Sequence, residues 1–345
     1  MGRIDRAYLT YAADQAIRAE AASGGAVTAL LLHLLATGRI DGAVVTSLDF
    51  TTGRIDPKVT LATTPQEILA ARTSKYFDVP LLKDAVRLLR AFEGRAAVVA
   101  LPCHTTALRR LAERQPALAS KIACVVTLFC GHSCQRYLLD GLLRRKGIDQ
   151  SQVADFYFRR GHWRGRMGGA MRDGSEFSFP FSHFSYYHNL NFFCLRRCLS
   201  CHDHTGYLSD FSAGDAWLRE MRSHPIKHSI ILSRHADASS VLAEMHERGV
   251  LVGRQIDQAT VFRAQKRALI YHYNVTARAR AAARHGIVIR DDVGAPVRWN
   301  DALAARLILL NYLWSNDRRR RDAILKLPRP LVTAYFLFLK LLQNF

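Results

Sequence analysis

Apolar residues recur with two different periods along the first 150 residues of the chain. Helical spacing marks four segments: GGAVTALLLHLLATGRI (24–40), TPQEILAART (64–73), TTALRRLAERQP (105–116) and CQRYLLDGLLRRKG (134–147). Short apolar runs typical of buried strands separate them: DGAVVTSL (41–48), RAAVVALPC (95–103) and KIACVVTLFC (121–130). This alternation predicts an α/β domain over residues 1–150, with a largely parallel central sheet and helices on both faces.

The pattern changes from about Ser151 onward. Two short strands, VADFYFRR (153–160) and EFSFPFS (176–182), flank a segment rich in glycine and arginine. The later segment HSIILSRHADASSVLAEMHERGVLVGRQI (228–256) has strand, helix and strand character, and a helical region begins near Thr260. We therefore predict a smaller α+β domain over residues 151–265 that carries a cysteine cluster, followed by a basic helical C-terminal extension over residues 266–345.

Cysteine usage narrows the chemistry. The chain has seven cysteines, and three of them, Cys194, Cys198 and Cys201, lie close together. The N-terminal residues lack the uninterrupted apolar stretch of a secretory signal, so we expect the protein in the cytoplasm, where thiols stay reduced. An odd and sparse set of cysteines is also unsuited to a disulfide framework. Clustered cysteines then indicate metal or redox chemistry.

The formal net charge of +20 predicts an acidic partner. Nucleic acid is disfavoured because no helix-turn-helix, RNA-recognition or zinc-finger spacing accompanies the charge. An anionic membrane and a small acidic electron carrier remain. An arginine run at Arg318 to Arg321 precedes an apolar tail of about fifteen residues, too short to span a bilayer and long enough to lie in its interface. A helix docked on the body of the protein or on a second subunit explains the tail equally well.

Two stretches of the first domain have the residue types of a phosphate and ring site. Ser23, Gly24 and Gly25 directly precede a helix whose first turn carries Thr28, and a helix N-terminus with glycines can cradle an anion. The triplet Ser74, Lys75 and Tyr76 at a helix end could bind phosphate and stack on a flat heterocycle. A Gly-Gly turn before a helix is common, and such a triplet is often plain surface.

Two predicted parallel strands end in cysteine, at Cys103 and Cys130. Open α/β sheets bind their ligands at the carboxyl ends of such strands. Together with the pair Cys198 and Cys201, these residues supply four thiolates, which suit either zinc or an iron–sulfur cluster. Cys124, inside a strand, is interpreted as a packing residue.

The ordered set of motifs resembles a known family. It is similar to the motifs of the beta-subunit family of coenzyme F420 (deazaflavin) hydrogenase and formate dehydrogenase. In chain order the motifs are SGG before a helix, SKY, PCxxxxLR, LFCGxxC, FxFRxGxW, and CxxCxD leading to DxSxGDAW. The resemblance runs from about Ala21 to about Gln265. Where the family usually has Gly-Thr-Pro-Cys-Gln, this chain has Ala-Leu-Pro-Cys-His at residues 100–104, so side-chain contacts near the flavin are expected to differ.

The resemblance implies FAD and one [4Fe–4S] cluster, because the cysteine runs of a ferredoxin-like domain are absent from the sequence. The implied flavin contacts are Ser23, Gly24, Gly25, Thr28, Ser74, Lys75 and Tyr76, and the implied cluster ligands are Cys103, Cys130, Cys198 and Cys201, with Cys194 and Cys134 in reserve. An acidic turn with Asp210, Ser212 and Asp215 either caps a helix or binds the ribityl hydroxyls. His104 and His132 are candidate catalytic residues, and a further group could relay protons: His162, His183, His188, His202 and His204.

The implied function is an FAD and iron–sulfur oxidoreductase. Electrons would pass between a ferredoxin-like carrier or a deazaflavin and an unidentified organic substrate. The alternative is a zinc-stabilised four-cysteine binding module without redox activity. The C-terminal helix is expected to contact a membrane surface or a second subunit.

Overall fold

The computed structural model describes residues 1–343, so the last two residues of the predicted C-terminal extension lie outside it. Its strands are β1 (Arg6–Ala12), β2 (Gly42–Asp49), β3 (Asp56–Ala62), β4 (Ala96–Ala100), β5 (Ile122–Leu128), β6 (Val153–Arg160), β7 (Arg166–Met171), β8 (Glu176–Pro180), β9 (Phe211–Asp215), β10 (Ser229–Ser233) and β11 (Leu251–Gln255).

Helices account for most of the remaining chain. They are α1 (Gln15–Glu20), α2 (Ala26–Ala36), α3 (Pro65–Ala70), α4 (Leu81–Ala91), α5 (Pro102–Arg114), α6 (Pro116–Ala119), α7 (Tyr137–Arg145), α8 (Ser182–Asn189), α9 (Ala236–Glu247), α10 (Gln258–Tyr273), α11 (Val275–Ala283), α12 (Trp299–Asn316), α13 (Arg321–Lys326) and α14 (Arg329–Leu342). Short 3₁₀ helices lie at Gln150–Gln152, Arg196–Ser200 and Arg219–Arg222.

Eight strands form the central sheet in the order β11-β1-β10-β9-β5-β4-β2-β3. Its four middle strands, β9, β5, β4 and β2, run parallel. The alternation of helix and strand predicts this for β2, β4 and β5, whereas β9 was interpreted as an acidic turn. The outer strands are antiparallel, which the sequence did not predict. The reason lies in the connections, because β2–β3 and β9–β10 are joined without the long α-helical crossover that a parallel pair requires.

Helices cover both faces of this sheet, which confirms the predicted α/β class. On one face, Leu30 and Leu34 of α2 and Leu242 of α9 pack on alternate residues such as Val45 and Val126. On the other face, the apolar sides of α4 and α5 pack on the intervening residues: Leu81, Leu89 and Leu108 against Val44, Val98 and Val125. Strands buried on both faces are continuous apolar runs, which explains sequences such as AAVVA in β4.

A second sheet, β6-β7-β8, is fully antiparallel. It packs with α7, α8 and the C-terminal helices around a large aromatic core whose fully buried members include Phe158, Phe184 and Phe193. Strands β9, β10 and β11 lie in the central sheet, although the sequence assigned them to the second domain. The division of the chain at residues 150 and 265 stays a prediction.

The C-terminal region is helical, as predicted. Helix α14 packs on α8 through Phe336, whose ring stacks on Tyr186 with 4.5 Å between centroids. It also packs on α12, where the Tyr335 hydroxyl donates a hydrogen bond to Asn311 Oδ1 at 2.9 Å. Within residues 1–343, no helix has the length and apolar character needed to cross a bilayer.

Candidate functional site

A cavity of about 670 Å³ opens at the carboxyl ends of the parallel strands. The ends of β4, β5 and β9 form its floor, and its walls come from the start of α2, residues 71–77, the β6–β7 loop, α10 and α14. This edge is where open α/β sheets bind ligands, and the volume is in the usual range for small-molecule sites. The cavity is therefore the candidate site.

The Ser-Gly-Gly turn lies at this cavity. Gly25 caps α2 with a φ of +79°, and Ser23, Gly25 and Thr28 all line the cavity. The first N–H groups of a helix have no partner within it, so this end of α2 offers donors to an anion. Gly24 has a different role: a Cβ there would lie 2.8 Å from the Ser229 backbone nitrogen, so this glycine permits close packing of the turn on the sheet.

The triplet at residues 74–76 lines the same cavity. However, the Lys75 ammonium donates to the carbonyl oxygens of Arg72 and Thr73, at 2.8 and 3.1 Å, and to a third carbonyl at the end of α3. Burial lowers the pKa of Lys75 to about 7. These hydrogen bonds from Lys75 thus cap the carboxyl end of α3. The Tyr76 ring packs on Phe181, 5.3 Å away, within the aromatic core.

Of the three polar residues predicted to contact the flavin, Asp210, Ser212 and Asp215, only Asp215 lies at the cavity. Asp215, at the carboxyl end of β9, lines the cavity and forms an ion pair with Arg159. Asp210 precedes the other end of this strand, roughly 16 Å away at about 3.3 Å per residue. It accepts hydrogen bonds from Arg109 and the Val125 backbone, both at 2.6 Å.

Ser212 is fully buried and bonds within the protein. Its hydroxyl lies 2.8 Å from Ser209 Oγ and accepts a hydrogen bond from Arg234 Nε at 3.1 Å. The predicted ribityl contacts at Asp210 and Ser212 are therefore not at the cavity, because a strand separates its two ends by its whole length. Both residues stabilise the fold instead.

Four of the predicted metal-ligand cysteines come together. Cys103 lies in the first turn of α5, Cys130 follows β5, and Cys198 and Cys201 lie at the 3₁₀ helix Arg196–Ser200. Burial raises the pKa of Cys130 strongly, and the other three thiols add to this shift. Burial also raises the pKa of Cys201 to about 12, with contributions from Cys103 and Cys198. The Cys103, Cys130 and Cys201 thiols are thus all near enough to Cys198 for its charge to oppose their ionisation.

Cys198 differs from the other three. The neighbouring Cys194 side chain lowers the pKa of Cys198, and so does the Ser133 backbone N–H, which donates to the Cys198 sulfur at 3.3 Å. Hydrogen bonds to sulfur favour the thiolate, the form that binds metals. Among residues 1–343, no three His, Cys, Asp or Glu side chains are arranged to hold a single metal ion.

The reserve ligands pack behind this group. Cys134 and Cys194 face each other in an isolated antiparallel bridge, and both are buried in the aromatic core. The Cys134 thiol donates to the Tyr76 carbonyl oxygen at 3.0 Å, and burial raises its pKa. Burial raises the pKa of Cys194, and the neighbouring Cys198 side chain raises it further. Cys124 lies within β5, where burial raises its pKa to about 12.

Both candidate catalytic histidines line the cavity. The Nδ1 atom of His104 and the Nε2 atom of His132 are buried without a hydrogen-bond partner in the described part of the chain. Burial lowers the pKa of His104 to about 4. The His132 ring stacks on His188, with 4.0 Å between centroids. Two imidazoles, each with one unpaired buried ring nitrogen, therefore lie in the lining of the cavity.

Two of the five other candidate histidines line the cavity. His188 and His204 line the cavity, whereas His162, His183 and His202 are not among its lining residues. The ring of His204 contacts the Cys130 carbonyl oxygen through Nδ1 at 3.0 Å. The five histidines therefore do not form one relay.

Contacts from α10 and α11 to the cysteine segments were missed in the sequence. The His272 ring lies 2.8 Å from the Cys130 carbonyl oxygen through Nε2 and 3.0 Å from the Cys201 carbonyl oxygen through Nδ1. Arg278 Nε donates to the Leu199 carbonyl oxygen at 2.8 Å. The sequence signal was weak, because His272 and Arg278 lie on two helices far along the chain from the cysteines.

Basic and aromatic side chains line part of the cavity. The Trp163 and Trp217 rings meet edge to face, 5.4 Å apart, and the Arg159 guanidinium lies 5.2 Å from the Trp217 ring. Arg164 and Arg267 also line the cavity. Arg159 and Trp163 belong to the motif FxFRxGxW, but the motif alone indicated no role for them.

Comparisons with known proteins agree with this architecture. Residues 7–84 match the model of the N-terminal domain of the coenzyme F420 hydrogenase/dehydrogenase beta subunit, and residues 93–259 match that of its C-terminal domain. A coenzyme F420 hydrogenase subunit beta from Methanothermobacter thermautotrophicus is 25% identical over 291 residues, which cover 82% of this chain and 94% of the relative.

Two further comparisons cover different lengths. A coenzyme F420-dependent sulfite reductase from Methanocaldococcus jannaschii is 30% identical over 159 residues, which cover 41% of this chain and 24% of that protein. A chain of the F420-reducing [NiFe] hydrogenase complex from Methanosarcina barkeri superposes with a TM-score of 0.64 at 19% identity, covering 85% of this chain and 97% of that one. This similarity extends the agreement to the fold. Since the two family domains together match most of the sequence, the chain belongs to the coenzyme F420 hydrogenase/dehydrogenase beta-subunit family.

Proposed function

We propose that this protein is an oxidoreductase that binds FAD in the cavity and one [4Fe–4S] cluster on Cys103, Cys130, Cys198 and Cys201. The observation that carries the proposal is the position of Cys130, which belongs to the group of four thiols and also lines the cavity. A cofactor in the cavity and a cluster on the thiols would thus be neighbours.

The residues of the cavity suit a flavin dinucleotide. Its pyrophosphate is an anion, which the N-terminus of α2 beyond Gly25 would favour through its free N–H groups. Arg164 and Arg267 add positive charge among the lining residues. The flat ring system would find aromatic neighbours in Trp163, Trp217 and Tyr76. We propose that Lys75 shapes this wall through its carbonyl contacts.

The four thiols suit an iron–sulfur cluster in their chemistry. Such clusters are held by cysteine thiolates, and the hydrogen bonds on Cys198 favour that form. FAD exchanges one or two electrons and the cluster passes single electrons, so the pair would connect two-electron and one-electron chemistry. His104 and His132 would offer the unused ring nitrogens as hydrogen-bonding groups to the bound ring or substrate, and Trp163 and Trp217 would limit access of water.

The experiment is metal and flavin analysis of protein purified without oxygen. We expect about four irons and one flavin per chain, with flavin absorption bands above a broad cluster shoulder. Stoichiometric zinc without iron would instead support a zinc-stabilised module built on the same thiols. Iron without flavin would leave the cluster assignment standing and overturn the role of the cavity.

The electron partner is proposed to be acidic or a deazaflavin. The net charge of +20 favours an acidic one-electron carrier such as ferredoxin in the cytoplasm, and the relatives act with coenzyme F420 and belong to hydrogenase complexes, as their names state. The screening length falls from about 10 Å at 0.1 M salt to about 3 Å at 1 M. Reduction by ferredoxin should therefore slow steeply over that range, whereas reduction by an uncharged reductant should not. A rate indifferent to salt would contradict the acidic-carrier proposal.

A further inference from the structure

Helix α14 is apolar on its outer face as well as on its inner face. Val332, Phe336, Leu339 and Leu342 are buried against the protein. The side chains of Leu331, Leu337, Phe338 and Leu341 are 61%, 55%, 48% and 58% exposed. Such a helix is normally covered on both sides, and an exposed apolar patch on a protein marks an interaction site.

The helix next to α14 also exposes apolar side chains. Helix α12 runs antiparallel beside α14, since the Asn300 side chain at its start donates to the Leu342 carbonyl oxygen at 3.0 Å, and Asn311 near its end contacts Tyr335. Its last turns expose Leu310 and Trp314, which are 37% and 48% accessible. Exposed apolar residues, including an aromatic side chain, thus occur on each of these two packed helices.

Basic residues flank this surface. From Asp317 to Gln343 the sequence has seven lysines and arginines against two aspartates. Arg318, Arg319, Lys326 and Arg329 are exposed, and they lie around the end of α12, α13 and the start of α14. Helix α14 contains no acidic residue. The two aspartates are paired, Asp317 with Arg320 and Asp322 with Arg144.

We propose that the exposed face of α14 docks on an anionic lipid bilayer, with the helix lying in the plane of the interface. An apolar helix face bordered by arginine and lysine is the arrangement that binds such membranes, since acyl chains cover the apolar side chains and anionic headgroups pair with the basic ones. A second copy of the chain fits poorly, because each copy carries a net charge of +20. The surface also lies beyond residue 259, where the family match ends.

Docking would involve the wall of the cavity directly. Phe336 and Lys340, on the inner side of α14, line the cavity, while Leu337 and Leu341 follow each of them on the outer side. The same helix thus separates the cavity from the proposed bilayer contact. The inference rests on the surface itself and stands whatever cofactor the cavity holds.

Vesicle sedimentation tests the apolar part of the surface. The full chain should sediment with vesicles of phosphatidylcholine mixed with phosphatidylglycerol and stay in solution with phosphatidylcholine alone. The triple variant Leu337→Asn, Phe338→Asn and Leu341→Asn should bind at least about tenfold more weakly, because each side chain buries apolar area in the interface. The matched control, Val252→Asn with Val288→Asn, also replaces exposed apolar residues, and it should bind like the parent.

A second pair of variants tests the charge. Arg318→Gln with Arg319→Gln should weaken binding roughly 30-fold, since each basic residue near an anionic surface contributes about 1 kcal/mol. Arg110→Gln with Arg114→Gln removes the same charge from exposed positions of α5 and should have little effect. All variants should keep the circular dichroism of the parent.

Three results would overturn the proposal. One is failure of the parent chain to bind anionic vesicles. Another is equal binding by the parent and the triple α14 variant. The third is a dimer, or a complex with an acidic protein, that the α14 substitutions disrupt while vesicle binding is unchanged, because the surface would then be a protein interface.

Discussion

Replacing Asp210 with asparagine should destabilise the protein without weakening the proposed binding of FAD. One carboxylate oxygen accepts from Arg109 and from the Val125 backbone, both at 2.6 Å, and the other lies 3.1 Å from His235 Nε2. Asparagine removes the charge and turns one acceptor into a donor. Losing a hydrogen bond to a charged group costs about 1.5–3 kcal/mol, so we expect a loss of about 2 kcal/mol in the free energy of unfolding.

This loss corresponds to a small shift in melting temperature for a chain of this size. Unfolding entropy of about 2.1 cal mol⁻¹ K⁻¹ per residue gives about 0.7 kcal mol⁻¹ K⁻¹ for 345 residues. A change of about 2 kcal/mol then lowers the melting temperature by about 3 °C. Calorimetry or thermal circular dichroism measures this shift, and fluorescence titration of the apoprotein with FAD measures the dissociation constant, which should not change.

Asp215→Asn is the matched control, because it makes the same chemical change at the other end of β9. Asp215 lines the cavity and pairs with Arg159, whose side chain is 1% exposed. Leaving a buried charge unpaired costs about 3–5 kcal/mol, so this variant should be less stable and should also bind FAD more weakly. The reasoning fails if Asp210→Asn loses FAD affinity at an unchanged melting temperature.

Three further predictions concern the cysteines, the turn before α2 and a buried histidine. Cys198→Ser should lose iron whereas Cys124→Ser keeps it; undiminished iron in Cys198→Ser would refute the ligand assignment, and iron retained by Cys130→Ser would favour Cys194 or Cys134. Gly25→Ala should lower the free energy of unfolding by about 1–2 kcal/mol because Gly25 has a left-handed backbone, and by more because the new Cβ would lie 2.9 Å from Ile17 Cγ2. The affinity for FAD should fall as well. The control Gly38→Ala replaces a glycine that is also left-handed but has nothing within 4 Å, so it should lose stability and keep its FAD affinity. Burial lowers the pKa of His188 to about 4 in the folded protein, whereas the same imidazole in the unfolded chain has a pKa of about 6.5. Below about pH 6.5 the unfolded chain therefore binds a proton that the folded protein does not. The free energy of unfolding should fall by about 2 kcal/mol between pH 7 and pH 5. In urea unfolding, His188→Gln should show a weaker pH dependence, and an unchanged one would contradict this assignment.

The middle of the central sheet was predictable because each of its strands has a clear local sequence pattern. Strands β2, β4 and β5 are short apolar runs between amphipathic helices, so their type and parallel order follow from periodicity. The outer strands were harder. β1 lies between β10 and β11, which are more than two hundred residues away in sequence, and no local pattern specifies such a pairing.

The candidate site was predictable where one motif supplies one element. Gly25, Cys103 and Cys130 lie at helix starts and strand ends, and the topology brings those ends together. The motif around Asp210 was misleading for a geometric reason, since the residues at the two ends of one strand lie at opposite edges of the sheet. His272 and Arg278 were missed because their contacts are to backbone carbonyl oxygens, which carry no sequence signature.

The position of β1 has a consequence for biosynthesis. Both of its neighbours in the sheet, β10 and β11, are synthesised long after it, since β1 ends at Ala12 and β10 begins at Ser229. At about 5–20 residues per second, the strand waits on the order of ten to forty seconds with both edges unpaired. Unpaired strand edges invite aggregation, so chaperones that bind the nascent N-terminus should improve the yield of folded protein. The cavity, lined by residues from Ala21 to Lys340, forms later still, so the cofactor proposed for it should be inserted after translation has passed α14.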